Sequence, residues 1–279
     1  MSGDLVTIVG MDDTHRSTST TEPRPLSGIA KRLLADRHSL PLSIALHLVP
    51  GALIVAIYLL FAERFVLSIG YPVFLGWAIA LSLVLGPLMA GLYWLGRKRN
   101  GQFSLRGVLH YTDKPLSRGK LAALAIPMFL WMMVLSFALT PLDSFIFDHF
   151  FTWLPFADAG GSATTYLQGN GRSAMLATLA MCLPLTGIAL PLIEEFYFRG
   201  FLMPRIAHLG KGAPVLSTVL FSVYHFWAPW TVISKLIFFF PGPWFVWKKK
   251  DIRLSIGMHV GSTLISTVGG IVAIALNLV

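Results

Sequence analysis

Residues 174–200 read AMLATLAMCLPLTGIALPLIEEFYFRG, a long apolar run that ends in two glutamates and an arginine. Residues 174–193 contain no charged side chain. A helix needs about 20 mainly apolar residues to cross the hydrocarbon core of a bilayer, and this run has that length. The stretch therefore predicts a membrane-spanning helix with the carboxylates of Glu194 and Glu195 at its end.

The whole chain shares this apolar character. Of its 279 residues, 55% are hydrophobic and 13% are charged, whereas soluble domains average about 45–50% apolar and about 25% charged residues. Mean hydropathy is +0.69. These values predict an all-α protein, a polytopic integral membrane helical bundle with about seven or eight transmembrane helices. Candidate spans lie at 40–62, 72–96, 121–142, 174–193, 213–230 and 254–279, with a less regular one, interrupted near Pro241, at about 231–247.

Residues 1–38 differ from the rest of the chain. They are polar and rich in serine and threonine, and no apolar run lies beside a cleavage-like site. Such a composition is typical of disorder and not of a signal peptide. The sequence thus predicts a disordered cytosolic tail at 1–38 and an integral membrane helical domain at 39–279. The single cysteine, Cys182, lies inside a predicted span and excludes an intramolecular disulfide.

Basic residues are unevenly distributed among the connections between spans. The connection at 97–120 is strongly basic, whereas the connection at 143–173 is acidic. The positive-inside rule makes the first connection cytoplasmic. The alternation of spans then predicts a multi-pass cell-membrane protein with a cytoplasmic N-terminus and with Glu194 near the cytoplasmic face. This topology and contact with membrane lipids account for the net charge of +9, so no nucleic acid partner is expected.

The two glutamates differ in the partners that a helix offers them. A charged side chain at membrane depth costs about 2.5–3.5 kcal/mol, so it usually faces a partner or a cavity. Glu195 and Arg199 are four residues apart and can pair on one helix face. Glu194 is turned by about 100° from Glu195 and is left without this partner. It either reaches toward the interface or serves a function.

Two histidines lie in spans that hold no other ionisable group. They are His225, in FSVYHF, and His259, in GMHVGST. Measured from the predicted cytoplasmic ends, they lie about 18 Å and 8 Å along their helices at 1.5 Å per residue. Helix tilt and an aqueous cavity would bring both level with Glu194. A packing role is the alternative for each histidine taken alone.

One glutamate and two histidines at a wet pocket suit hydrolysis of a peptide bond without a covalent intermediate. A carboxylate can take a proton from water, an imidazole can orient that water, and a second donor can stabilise the oxyanion. A zinc site is the competing design, but no His-Glu-x-x-His sequence occurs. We therefore expect no cofactor and no metal, with zinc as the less favoured alternative. No Gly-x-Ser-x-Gly sequence near a histidine supports a serine nucleophile.

Three motifs in this order resemble the CPBP family, the CAAX proteases and bacteriocin-processing enzymes that are also called Abi proteins. The motifs are Glu194-Glu195-x-x-x-Arg199, Phe221-x-x-x-His225 and His259-x-x-x-Thr263. The match covers about 190–265, within a core at about 174–265. The resemblance implies an intramembrane glutamic endopeptidase that cleaves a peptide or protein substrate, lipidated or membrane-bound, near the cytoplasmic face.

The resemblance also implies a role for each motif residue. Glu194 would be the general base that activates water, helped by His225, while His259 and Thr263 would hold the oxyanion. A structural pair would be formed by Glu195 and Arg199, and Phe221 would pack beside His225.

Position 263 departs from the family pattern, which has asparagine or aspartate there. Thr263 offers one hydroxyl donor, which can instead bond the backbone of its own helix. Losing an oxyanion donor costs about 3–4 kcal/mol of transition-state stabilisation. A non-catalytic or weakly catalytic membrane immunity or scaffold protein of the same fold is therefore the alternative function, and a proton-coupled transporter is a third. Replacing Glu194 by glutamine would distinguish catalysis from binding.

Overall fold

The computed structural model describes residues 28–113, 115–156, 167 and 169–278. All regular elements in these ranges are helical, which confirms the predicted all-α class. The helices are α1 (Gly28–Leu33), α2 (Leu40–Ser68), α3 (Val73–Asn100), α4 (Arg118–Ala138), α5 (Thr140–Phe150), α6 (Arg172–Arg205), α7 (Gly212–Tyr224), α8 (Val232–Phe239), α9 (Pro241–Lys249) and α10 (Arg253–Ala275).

Five described helices are long and apolar enough to cross a membrane, namely α2, α3, α4, α6 and α10. The predicted span at 213–230 is helical only as far as Tyr224, so α7 has 13 residues. The segment at 231–247 is divided at Pro241 into α8 and α9, as expected where proline removes a backbone donor. The total of seven or eight spans stays a prediction.

Local sequence signals set several helix ends. The hydroxyl of Ser39 accepts a hydrogen bond from the backbone of Leu42 and caps the start of α2. At the other end of the next helix, Gly101 has φ of 75°, the left-handed conformation that commonly terminates helices. These signals explain why the apolar runs begin and end as separate helices.

Helix α6 does not have regular α geometry throughout. It contains π-helical segments at Leu185–Ala189 and Glu195–Leu202. Pro184 and Pro191 lack the backbone donors of regular α-helical turns, and short π segments often occur at functional sites. A regular α-helix would turn by about 100° per residue around the two glutamates. The wider π turn instead begins at Glu195.

Helix α10 packs against α4, α6 and α9, while α2 packs against α3 and α7. The contact between α2 and α7 depends on Gly51, because a β-carbon there would collide with the carbonyl oxygen of Tyr224. This close approach fixes the end of α7 against α2. It also holds the adjoining residue, His225, in place.

The packed part of the chain begins inside the predicted tail. Arg205, at the end of α6, donates from Nε to the carbonyl oxygen of Leu33 at 3.0 Å, and its own carbonyl accepts from the backbone nitrogen of His38 at 3.0 Å. The His38 side chain is buried. Residues 28–38 therefore pack against the helix that bears the glutamates, and residues 1–27 of the predicted tail lie outside the described residues.

Candidate active site

His259 lies between the two glutamates. Its Nδ1 is 2.9 Å from Oε1 of Glu195, and its Nε2 is 3.8 Å from Oε2 of Glu194. Glu194 is 5% exposed, Glu195 is 0% exposed and His259 is 4% exposed. Because an ionised carboxylate can only accept, the Nδ1 of His259 carries the proton in its bond with Glu195. The other ring nitrogen therefore faces Glu194.

Glu194 is buried and hydrogen-bonded, and it does not reach toward the interface. The hydroxyl of Tyr224 donates to its Oε1 at 3.0 Å. This bond holds one carboxylate oxygen and leaves the other, Oε2, directed at His259. The 3.8 Å between Oε2 and Nε2 is longer than a direct hydrogen bond. Polar groups at such a distance can interact through a water that contacts both.

Glu195 holds two groups at once. Its Oε2 lies 3.5 Å from Nε of Arg199, and both side chains are fully buried. The guanidinium carbon of Arg199 is also 3.7 Å from the ring centroid of Phe221, within cation–π range. The pairing of residues four apart thus occurs despite the π geometry. Glu195 also positions His259, a contact that four-residue spacing does not predict.

His225 follows the last residue of α7. Its Nδ1 lies 2.8 Å from the carbonyl oxygen of Phe221, which can only accept, so Nδ1 carries the proton and Nε2 is an acceptor. The rings of Phe221 and Phe239 contact both histidines, at centroid distances of 4.8 Å and 6.2 Å from His225 and 5.9 Å and 4.8 Å from His259. Within the described residues, no direct polar contact joins His225 to Glu194.

Thr263 directs its hydroxyl toward backbone carbonyls. Its Oγ1 lies 2.9 Å from the oxygen of Gly187 and 3.1 Å from that of His259. The neighbouring Ser262 hydroxyl likewise lies 2.8 Å from the oxygen of His259. Each hydroxyl has one proton to donate. The structure therefore places Thr263 one turn from His259, bonded to the first π segment of α6.

Two aromatic residues of the site were missed by the sequence analysis. Tyr224 binds Glu194, and Phe239 contacts both histidines. The signal for Tyr224 was present, because a phenol hydroxyl next to a candidate histidine in an apolar helix needs a partner. Phe239 lies in an apolar run without any comparable signal, and only its packing reveals its position.

The prediction of no metal stays a prediction. No group of three or more histidine, cysteine, aspartate or glutamate side chains that would suit a metal ion occurs in the described parts of the chain. Glu194, Glu195 and His259 meet, but they contact one another as hydrogen-bond and ion-pair partners. Activity measured with and without a chelator would address metal dependence directly.

Comparison with known proteins agrees with the three motifs. A family model described as Type II CAAX prenyl endopeptidase Rce1-like matches residues 176–265. This region contains Glu194, His225, His259 and Thr263, and the match confirms the resemblance to CAAX proteases. No curated protein and no solved structure matches the chain. With five helices able to span a membrane, the match supports a membrane protease of the CAAX type, a hydrolase with a protein or peptide substrate.

Proposed function

We propose that this protein is an intramembrane endopeptidase in which Glu194 activates a water molecule. One observation carries the proposal: Oε1 of Glu194 is held by Tyr224, while Oε2 faces Nε2 of His259 at 3.8 Å in a buried site. A water beside these two atoms, within hydrogen-bond distance of both, would contact a base and an imidazole. General acid–base catalysis requires the base to lie within hydrogen-bond distance of the proton that it removes.

The proposed reaction uses the proton that Glu194 removes from water. The resulting hydroxide oxygen attacks the peptide carbonyl carbon, and negative charge develops on the carbonyl oxygen. His259, oriented by Glu195, would stabilise this charge as a donor at Nε2 when its ring carries protons on both nitrogens. The C–N bond then breaks as the leaving nitrogen takes the proton from Glu194. Nε2 of His225 is an acceptor and would help to orient the water or the leaving amine.

We further propose that the substrate carries an apolar group. The matched family model is described as a CAAX prenyl endopeptidase. A cavity of about 390 Å³ lies between α4, α6 and α10, with Met132, Leu179 and Thr263 among its lining residues. Since Thr263 is one turn from His259, an apolar chain in this cavity would lie beside the reacting bond. The cytoplasmic orientation of the site belongs to the same proposal.

Replacing Glu194 by glutamine tests the proposal. Glutamine keeps nearly the same shape but cannot take a proton from water, so cleavage of a farnesylated, internally quenched peptide should fall by about 10²–10⁴-fold. The purified full-length protein should keep its thermal midpoint within a few degrees. The readout is the initial rate of fluorescence increase in proteoliposomes.

Glu63→Gln is the matched control. The carboxylate of Glu63 also accepts a hydrogen bond from a tyrosine hydroxyl, that of Tyr58 at 3.2 Å, but it lies on α2 outside the site. This variant should cleave at the rate of the unmodified protein. Full cleavage by Glu194→Gln would contradict the proposal and would favour the binding role of an immunity or scaffold protein.

A further inference from the structure

Lys235 lies on the helix that covers the site. Helix α8 contributes Phe239, whose ring contacts both His225 and His259. Lys235 is four residues earlier, so it lies on the same face of α8, one turn away. Its ammonium interacts electrostatically with Glu194 and with His225. It is therefore a cation at the edge of the proposed catalytic group.

The charge of Lys235 is not neutralised by a close carboxylate. Its Nζ donates to Oγ1 of Thr231 at 2.5 Å. Asp143 interacts with it electrostatically from beyond 4.0 Å, and Oδ1 of Asp143 accepts a hydrogen bond from Ser234 at 2.6 Å. Across the described ranges, Lys235 takes part in no ion pair within 4.0 Å. A cation within a helical bundle without such a pair usually marks a functional position.

The other cation of the site, Arg199, already has partners within the protein. Arg199 is paired with Glu195 and is covered by the ring of Phe221, with no exposed surface. Lys235 is partly exposed and has two ammonium protons beyond the one given to Thr231. Of these two cations, Lys235 is the one that can meet an anionic group of a bound molecule.

We propose that Lys235 binds a carboxylate of the peptide substrate and thereby sets its register against Glu194. The inference rests on the proposed function and adds to it a requirement for negative charge near the scissile bond. The carboxylate is either the C-terminal α-carboxylate or the side chain of an aspartate or glutamate. A charge-assisted hydrogen bond to an ammonium recognises both, and a neutral amide in the same place would lose it.

The test measures binding separately from cleavage. Full-length Glu194→Gln protein in phosphatidylcholine nanodiscs is titrated with a farnesylated peptide that has a free C-terminus and one internal glutamate. Two further peptides carry either a C-terminal amide or glutamine in place of the glutamate. The first peptide should bind about tenfold more tightly than the peptide that lacks the recognised carboxylate. Which replacement weakens binding identifies the carboxylate.

Adding Lys235→Met should remove this tenfold preference while leaving the affinity for the neutral peptide unchanged. Lys235→Arg should keep the preference, because the positive charge remains. The matched control is Lys248→Met, which removes an exposed lysine near the end of α9 and should change nothing.

A preference that persists in folded Lys235→Met protein, judged by its thermal midpoint, would overturn the inference. So would equal binding of all three peptides before Lys235 is changed. Failure of the proposed function has a different signature. In that case the unmodified protein would leave the peptide uncut, while a Lys235-dependent preference in binding would still support the carboxylate site.

Discussion

At the scale of single residues, the role of Thr263 follows from where its one proton goes. The hydroxyl lies 2.9 Å from the carbonyl oxygen of Gly187, so it joins α10 to the π segment of α6. Thr263→Val has nearly the same shape and removes only the hydroxyl. We expect its kcat to fall less than about threefold, because the hydroxyl proton is donated to the Gly187 carbonyl and not to the oxyanion. Removal of a true oxyanion donor would lower kcat by about 10²–10³-fold. The measurement is steady-state cleavage of the farnesylated peptide.

Thr263→Asn provides the opposite comparison at the same position. Its amide has two donor hydrogens and restores the residue type of the family motif, so we expect kcat to rise above that of the unmodified protein. A loss of 100-fold in Thr263→Val would show instead that the threonine hydroxyl stabilises the oxyanion. His259 would then not be the only group that stabilises the oxyanion.

At the scale of elements, the contact between α2 and α7 holds Tyr224 against Glu194. Gly51→Ala introduces a methyl group where the Tyr224 carbonyl oxygen lies. We expect destabilisation by about 1–3 kcal/mol, as for other overpacked sites, together with slower cleavage. Thermal unfolding in detergent and initial cleavage rates measure the two effects.

Gly91→Ala is the control for this element. Gly91 lies within α3, and a β-carbon there would meet no atom within 4 Å. Alanine favours the helix by up to about 1 kcal/mol relative to glycine, so this variant should be equal to or more stable than the unmodified protein. Similar losses in both variants would show that the α2–α7 contact has no special role.

At the scale of the whole molecule, the proposed site requires that the ends of α6 and α9 face the cytoplasm. Cys182 is the only cysteine and is buried, so Cys182→Ala supplies a background for single-cysteine labelling. In intact cells, a membrane-impermeant maleimide should label His149→Cys at the end of α5. It should label Lys249→Cys, at the end of α9, only after permeabilisation. Both positions are exposed.

The reverse labelling pattern would place the site at the outer face and would contradict the predicted topology. Cleavage of an added peptide by inverted vesicles, but not by intact cells, should agree with the labelling. The assignment of the interior rests on the basic connection at 97–120, because positive charge is retained on the cytoplasmic side.

The sequence by itself determined the membrane-helical class and the residues that could carry chemistry. Apolar runs of spanning length need internal backbone hydrogen bonds in lipid, so they must form helices. The adjacent charges of Glu194 and Glu195 stood out because charges are costly at that depth. Four-residue spacing was enough to indicate the pairing of Glu195 with Arg199.

Only the tertiary structure decided which of these groups meet. In the structure, His259 lies between both glutamates and the hydroxyl of Tyr224 donates to Glu194. His225 contacts the same two phenylalanine rings as His259. None of these contacts follows from spacing, because they join α6, α7 and α10 through packing angles and π turns. Periodicity describes the face of one helix, whereas the distance between two helices depends on every side chain and glycine that lies between them.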